Sequence, residues 1–425
     1  MTFLIILYVL LLFTGMPIGI WLGIGGLFFM YLGGIPPLMV VQKYIEGIDS
    51  FVLLAVPLFT LAGGLMNECG LTGDLIEFSM KLFGRLRGAL AYASVLANIV
   101  LAGVSGSASA DAAAIGTLLI PAMEKQGYKR DYAGAVIAAG SIIGPIIPPS
   151  IAMIILGVVC NLSIGGLWAA GIIPGIIFGV GLMALCFYYA VKEKHPKVEE
   201  AIGLKEVWRA FVQALPALIM PVIVLGGIRL GVVTPTEGAA VAVLYALLYG
   251  IIGRRLSLEG LRKSLEATVL VTAAILLIVG LANTVGYMLA IRGVPDAVYR
   301  FVLSLKPGFV AYMLVSVLFF TIVGCLMETA AAIYIFAPIM LKGAMAVGID
   351  PLFYGFIMVL TLIVGMVTPP VGVSLFVISA VGKIPMTDLV KRAFPFILVL
   401  TSILVVFALS PTFVMWFPKL LGFVE

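Results

Sequence analysis

Residues 103–111 read Gly-Val-Ser-Gly-Ser-Ala-Ser-Ala-Asp, in the middle of an apolar stretch that runs from about Ala89 to Met123. Basic segments flank that stretch: Asp74–Arg87 carries Lys81, Arg85 and Arg87, and Glu124–Arg130 carries Lys125, Lys129 and Arg130. Each apolar arm is about 16 residues, or roughly 24 Å of helix, short of the ~30 Å hydrocarbon core of a bilayer. Lysine and arginine near membrane segments mark the cytoplasmic face. Two short arms with basic feet therefore predict a re-entrant hairpin over 89–123, its polar tip near the midplane.

Composition supports a membrane setting. Of 425 residues, 63% are hydrophobic and 11% charged, with a mean hydropathy of +1.24, against about 45–50% and about 25% in soluble domains. The 48 glycines and 23 prolines indicate close helix packing and helix breaks in such segments. The net charge of +5 is dispersed and leaves no nucleic-acid footprint. Cys69, Cys160, Cys186 and Cys325 lack metal spacing, and the one histidine, His195, lies in the polar stretch Lys192–Arg209. With no Ser/His, Cys/His or histidine-cluster set in the membrane, neither an enzyme nor an organic cofactor is expected. The apolar N-terminal run lacks a basic leader and a cleavage site, so it reads as a retained helix.

Full crossings are expected over Phe51–Met66, Tyr132–Cys160, Gly165–Val191, Ala214–Leu230, Glu237–Ile252, Ala267–Ile291, Pro351–Val381 and Phe394–Leu409. The opening run Thr2–Tyr31 is interrupted at Gly15-Met16-Pro17-Ile18-Gly19 and reads as one broken helix or two short ones. Lys192–Arg209 and Arg254–Lys263 should be cytoplasmic, which puts Thr234–Glu237 outside.

The plan recurs. Asp111–Pro121 (DAAAIGTLLIP) is answered by Glu328–Pro338 (ETAAAIYIFAP), Gly144–Pro149 (GPIIPP) by Gly365–Pro370 (GMVTPP), and Gly15–Pro17 by Thr234–Thr236, at offsets of 217 to 221 residues. The expected fold is an all-α integral membrane protein of two repeats, 1–191 and 211–425, joined by a cytoplasmic linker at 192–210. Each repeat has a re-entrant hairpin, the second at about 307–341 with its tip near Gly324–Glu328, and a broken helix. Five crossings plus a hairpin per repeat make the second inverted, an architecture of secondary transporters.

Small residues at the 103–111 tip let the chain leave the helix and free its carbonyls, and carbonyl and hydroxyl oxygens suit a sodium ion. The helix resuming near Ser109 offers free N–H groups to a carboxylate; the same composition also serves tight packing. Asp111 would cost about 2.5–3.5 kcal/mol at the centre of a spanning helix. Three roles are open to it: capping N–H groups at the tip, adding to a cation's field, or touching an anionic cargo. Capping is favoured because like charges repel, with Glu328 as its analogue. Pro148-Pro149 and Pro369-Pro370 remove backbone donors and leave carbonyls one turn earlier for a cation. That implicates Gly144, Ile147 and Pro149, then Gly365, Thr368 and Pro370; simple proline kinks are the alternative. Arg292 either holds an anion or snorkels to the interface. Glu237 reads as a helix-start residue, and Phe413, Trp416 and Phe417 as interfacial anchors.

At these residues the chain resembles a known family. VPLFTLAGGLM (Val56–Met66), SGSASADAAAIGTLLIP (Ser105–Pro121), GPIIPPS (Gly144–Ser150), TPTEGAAVAV (Thr234–Val243) and TPPVG (Thr368–Gly372) are similar to the large membrane subunit of tripartite ATP-independent periplasmic (TRAP) transporters, over essentially the whole chain. The resemblance implies sodium-coupled uptake of a small organic acid, of the sialic acid or C4-dicarboxylate type, across a bacterial inner membrane. It implies an elevator mechanism on an ion-transporter-superfamily-like fold. Two separate partners follow: a small four-helix (Q-type) membrane subunit and a soluble periplasmic (P-type) substrate-binding protein. Carried over by motif, one sodium would use Ser105, Gly144, Ile147 and Pro149, and a second Gly324, Gly365, Thr368 and Pro370. The substrate-binding set would be Ser107, Ser109, Asp111 and Arg292. The second tip, Gly324-Cys325-Leu326-Met327-Glu328, has no serine or threonine before the acid, so its ligands would be mostly carbonyls. A carboxylate carrier without a binding protein and an ion channel are the competing readings.

Overall fold

A chain in lipid must satisfy its own backbone polar groups, which for this composition means helices. A computed structural model describes residues 18–84, 86–197 and 203–424, without the side chains of 18, 29, 32, 33 and 103–105. The landmark at Gly15–Pro17 lies outside the described residues. The chain runs through α1 (Ile18–Gly33), α2 (Pro37–Ile48), a short 3-10 turn (Phe51–Leu54), α3 (Ala55–Glu68) and α4 (Leu71–Phe83). Next α5 (Ala89–Ser105) and α6 (Ala108–Lys125) fold back on each other at residues 106–107. Turns over 142–150 separate α7 (Arg130–Ser141) from α8 (Ile151–Cys160), and α9 (Ile164–Lys192) follows.

The second half holds α10 (Leu204–Arg229), α11 (Pro235–Ile252), α12 (Leu258–Ile291) and α13 (Val294–Leu305). Then α14 (Phe309–Leu326) and α15 (Thr329–Ala346) meet at residues 327–328, and α16 (Pro351–Gly365) and α17 (Val373–Gly382) flank turns at 366–372. They are followed by α18 (Met386–Ala408) and α19 (Pro411–Leu420). Because α10 starts at Leu204, the last residues of the expected linker, 192–210, are helical.

Among the described residues eight helices are long and apolar enough to cross a membrane, judged on length and composition: α3 with its 3-10 lead, α9, α10, α11, α12, α14, α15 and α18. The arms α14 and α15 are 18 residues each and meet that criterion, whereas α5 is among the shorter apolar helices. The expected crossings 132–160 and 351–381 are each split by their turn segment.

Local chemistry sets many of the helix starts. The side chains of Ser150, Ser163, Ser257 and Asp350 accept the N–H of Met153, Gly166, Gly260 and Phe353, as N-caps do. Glu237 is the helix-start residue expected: its N–H donates to Thr234 Oγ1 at 3.3 Å while the Thr234 N–H donates to Glu237 Oε2 at 2.7 Å, a capping box.

Two sets of helices face each other. Along α12 pack α1, α2 and α3, brought close by small residues. A Cβ at Gly47 would lie 2.6 Å from Asn283, at Gly280 2.5 Å from the Tyr44 ring, and at Gly64 3.3 Å from Ser264. Opposite, the hairpins lock reciprocally: α8 packs on α15 and α17 on α6.

After α9 the chain tucks under this second set. Gly88 N donates to Pro196 O at 3.1 Å, and His195, 6% exposed, lies 4.8 and 4.6 Å from the Tyr128 and Tyr132 rings. Its Nε2 is 3.4 Å from Glu193 Oε2. Arg392 of α18 pairs with the other Glu193 oxygen and covers Tyr132 and Tyr189 at 5.0 and 4.6 Å. Burial lowers the His195 pKa; Glu193 opposes this and Arg392 adds to it. Burial raises Glu193, but hydrogen bonding and charge from Arg392, then His195, prevail and lower it. Both groups hold protons less readily folded than unfolded, so stability is lost on acidification. The loss begins as pH falls below the unfolded values, 6.5 for His195 and 4.5 for Glu193. The melting temperature should therefore drop between about pH 6.5 and pH 5 in wild type, and His195→Gln should flatten that segment. An unchanged slope in the variant excludes His195 as its source.

Candidate functional site

The two helix joints, 106–107 and 327–328, meet the two turn segments, 142–150 and 366–372. In the first pair, Gly106 has φ +60° and a Cβ there would lie 2.6 Å from the Pro149 carbonyl oxygen. Glycine is needed twice over, for the left-handed backbone and for the contact. Ser107 caps α6, its Oγ accepting Ala110 N–H at 3.5 Å and lying 3.3 Å from Ser109 Oγ. Asp111, 2% exposed, directs its carboxylate at Gly144: a Cβ on that glycine would lie 2.1 Å from Asp111 Oδ2.

The turn itself is braced by Ser150, whose hydroxyl donates to Pro145 O at 2.5 Å, and by buried Trp168, whose Nε1 donates to Ser150 O at 3.3 Å. The Pro148-Pro149 and Pro369-Pro370 peptides are both cis. In the second pair, a Cβ on Gly365 would lie 2.7 Å from the Gly324 carbonyl carbon, and one on Gly324 2.4 Å from Leu362 O. Gly372 N donates to Cys325 O at 3.3 Å, and Thr368 Oγ1 donates to Val364 O at 3.0 Å. Glu328 caps α15, accepting Ala330 N–H at 2.8 Å and Ala331 N–H at 3.3 Å.

These positions correct one expectation. The helices after the joints start at 108 and 329 and the cis pairs at 148 and 369, each 221 residues apart. At that spacing Glu328 answers Ser107, and Asp111 answers Ala332. Glu328 is a cap as expected; at the first joint the cap is Ser107, with Asp111 inside the first turn of α6.

A cavity of about 350 Å³ opens between the joints and the α12 side. Ser107, Ser109, Asp111, Glu328 and Thr329 line one wall, and Thr60, Asn67 and Thr72 the other. Among the described residues no lysine, arginine or histidine lines it. Of the expected residues, Gly144 meets Asp111 and Gly324 meets Gly365, while Ser107, Ser109 and Asp111 share the cavity. The side chain of Ser105 lies outside the described residues. The Ile147 side chain packs against Gly175 of α9. Thr368 is half-buried and Pro370 exposed. Arg292 is not brought to the others: it is exposed at the C-cap of α12 and does not line the cavity. Gly106 and the Thr60–Thr72 wall were not expected. Their signal was available, because Thr60, Gly63, Gly64 and Asn67 recur at i, i+3, i+4 and i+7, one face of a helix, within and just past the 56–66 motif.

Residues 4–413 match the family described as "Tripartite ATP-independent periplasmic transporter, DctM component". The chain belongs to this family. It is 37% identical to the sialic acid TRAP transporter large permease protein SiaM of Vibrio cholerae, over 96% of each chain. It is 38% identical to the 2,3-diketo-L-gulonate TRAP transporter large permease protein YiaN of Escherichia coli, over 87% of each. In fold it is similar to the crystal structure of the Alcanivorax borkumensis YdaH transporter, with a TM-score of 0.61 at 14% identity over 88% of this chain and 87% of that one. As a TRAP large permease it is a multi-pass protein of the inner membrane, in a family of transporters rather than enzymes.

Proposed function

We propose that this chain is the translocating subunit of a binding-protein-dependent TRAP transporter that imports an organic acid with sodium. The observation that carries the reading is the pair of close approaches at the joints and turns, Gly106 on the Pro149 carbonyl and, at the adjoining helix ends, Gly324 on Gly365, flanking a cavity at which α6 and α15 both begin. Helix starts present N–H groups to a carboxylate. The acidic residues there, Asp111 and Glu328, oppose an anion unless cations accompany it. Sodium would be held by Ser105, Gly144, Ile147 and Pro149 in the first site and by Gly324, Gly365, Thr368 and Pro370 in the second. Asp111 against Gly144, the Pro149 carbonyl at Gly106, and the acceptor lone pairs left on Thr368 fit such oxygen-rich sites. Because no basic side chain lines the cavity among the described residues, sodium is the counter-charge that admits the acid, and each ligand raises the other's affinity.

The two halves are then inverted repeats. The reciprocally locked hairpins form a mobile body, moving as an elevator against the frame built along α12. With Arg254–Lys263 cytoplasmic, the cavity meets α12 at Ala267, Val271 and Ile275, in its inner half, as in an inward-facing state. A small membrane subunit and a periplasmic binding protein complete the transporter. The cargo is placed with the sialic acid and diketo-gulonate acids of its relatives, C4-dicarboxylates being the alternative.

Uptake into proteoliposomes with both partners should be saturable and sodium-dependent. Thr368→Val and Ser105→Leu should each raise the sodium concentration for half-maximal uptake about fivefold or more, the size of one lost polar ligand. Sodium-independent uptake would sink the coupling; unchanged sodium dependence in both variants would remove these ligands.

A further inference from the structure

We infer that the neutral wall of the cavity, formed by Thr60 and Asn67 on α3 and Thr72 on α4, selects the cargo by its uncharged polar end. The inference rests on the cavity being the cargo site. It assigns a role to side chains that the joints and turns leave out.

Three observations support it. Thr72 is 6% exposed, lines the cavity, and its hydroxyl has no hydrogen-bond partner among the described residues. The hydroxyl is open to the cavity, which is where a partner can be supplied. Asn67, an exposed residue, also lines the cavity, offering two donors and an acceptor. Thr60 gives its hydroxyl proton to Val56 O at 2.8 Å and keeps its lone pairs. Gly70, with φ +79°, turns the chain sharply from α3 into α4, so that both present polar groups to one space.

The charge distribution decides what these groups can hold. Among the described residues the ionisable ones lining the cavity are Asp111 and Glu328, both on the opposite wall, where the helix starts lie. A cargo carboxylate placed there has N–H groups and accompanying sodium. A second carboxylate, at the α3–α4 wall, would meet only amide and hydroxyl groups and, beside buried Thr72, no counter-ion, which disfavours it. Hydroxyl or acylamino groups, in contrast, exchange hydrogen bonds with Asn67, Thr72 and Thr60 at no electrostatic cost. The cargo class is therefore a monocarboxylate bearing hydroxyl or amide groups, such as a sugar acid, and a site built to pair such groups discriminates strongly against ligands lacking them.

The test uses the full chain purified with its membrane partner, without the binding protein, so that selectivity measured is that of the membrane subunits. Thermal unfolding in sodium is followed with gluconate, N-acetylneuraminate or succinate. At least one of the two hydroxylated acids should raise the melting temperature, at concentrations about tenfold below any effect of succinate. Thr72→Val, close in shape, should weaken the hydroxylated acid and leave the response to sodium alone unchanged. Asn67→Arg, which places a cation on the neutral wall at an exposed position, should improve succinate and reverse or abolish the preference. Succinate acting as well as the hydroxylated acids in wild type overturns the inference. So does a ranking unchanged in both variants, or no shift by any acid while sodium-driven uptake persists. Failure of the parent reading is seen separately, as uptake that does not need sodium.

Discussion

Gly144→Ala is expected to weaken the proposed sodium coupling of uptake about five- to 150-fold in a protein that still folds. The added Cβ would fall 2.1 Å from Asp111 Oδ2, far inside van der Waals contact, so the carboxylate or the turn must move. Gly144 and Asp111 are both buried, and overpacking in a dense interior costs about 1–3 kcal/mol. Placed on a cation site, that cost is about five- to 150-fold in apparent sodium affinity. Gly365→Ala should act similarly at the second joint, where the new atom meets main chain, 2.7–3.0 Å from Gly324 and Cys325. Melting temperature separates misfolding from a damaged site. Wild-type uptake by folded Gly144→Ala, at unchanged sodium dependence, would remove Asp111 and Gly144 from the cation chemistry.

The largest loss of stability is expected from Trp168→Ala. Trp168 is fully buried, sits edge-on to Phe59 at 5.7 Å, and donates its indole N–H to Ser150 O. Ser150 in turn holds the Pro145 carbonyl and caps α8. Truncation removes a large side chain from a packed interior at about 3–5 kcal/mol and leaves the Ser150 carbonyl with the Ile154 N–H as its remaining donor. Because that residue braces the turn carrying Gly144 and Pro149, sodium dependence should weaken along with the melting temperature. Trp168→Phe should recover much of the packing but not the hydrogen bond. Equal behaviour of the Phe variant and wild type in sodium titration would show that packing alone matters there.

Much of this architecture was readable in the residues. The basic feet and small-residue tip placed the first hairpin within two residues of α5 and α6, because charge and helix breaking are local properties. The proline pairs located both turns for the same reason. Register was harder. Matching DAAAIG to ETAAAI aligned Asp111 with Glu328, whereas the helix starts set the spacing four residues longer. Four residues are close to one helical turn, so an alanine-rich helix looks alike at either register and only the joint distinguishes them. Arg292 was an attractive anion partner by charge, but at the end of α12 its long side chain reaches solvent rather than the cavity. The helices α2, α4, α13 and α19, at 10–13 residues, fall below the length that an apolar-run reading detects.

The length of α12 ties the site to the lipid around it. Its charges, Glu259, Arg262, Lys263 and Glu266, stop in the third turn, leaving an uncharged run from Ala267 to Ile291 of about 37 Å against a hydrocarbon core of ~30 Å. A run that long relieves its hydrophobic mismatch by tilting. Since α3, which carries Thr60 and Asn67 of the neutral wall, is held to α12 through the close approach of Gly64 to Ser264, the tilt is shared by the cavity. Acyl-chain length thereby becomes a variable of cargo binding.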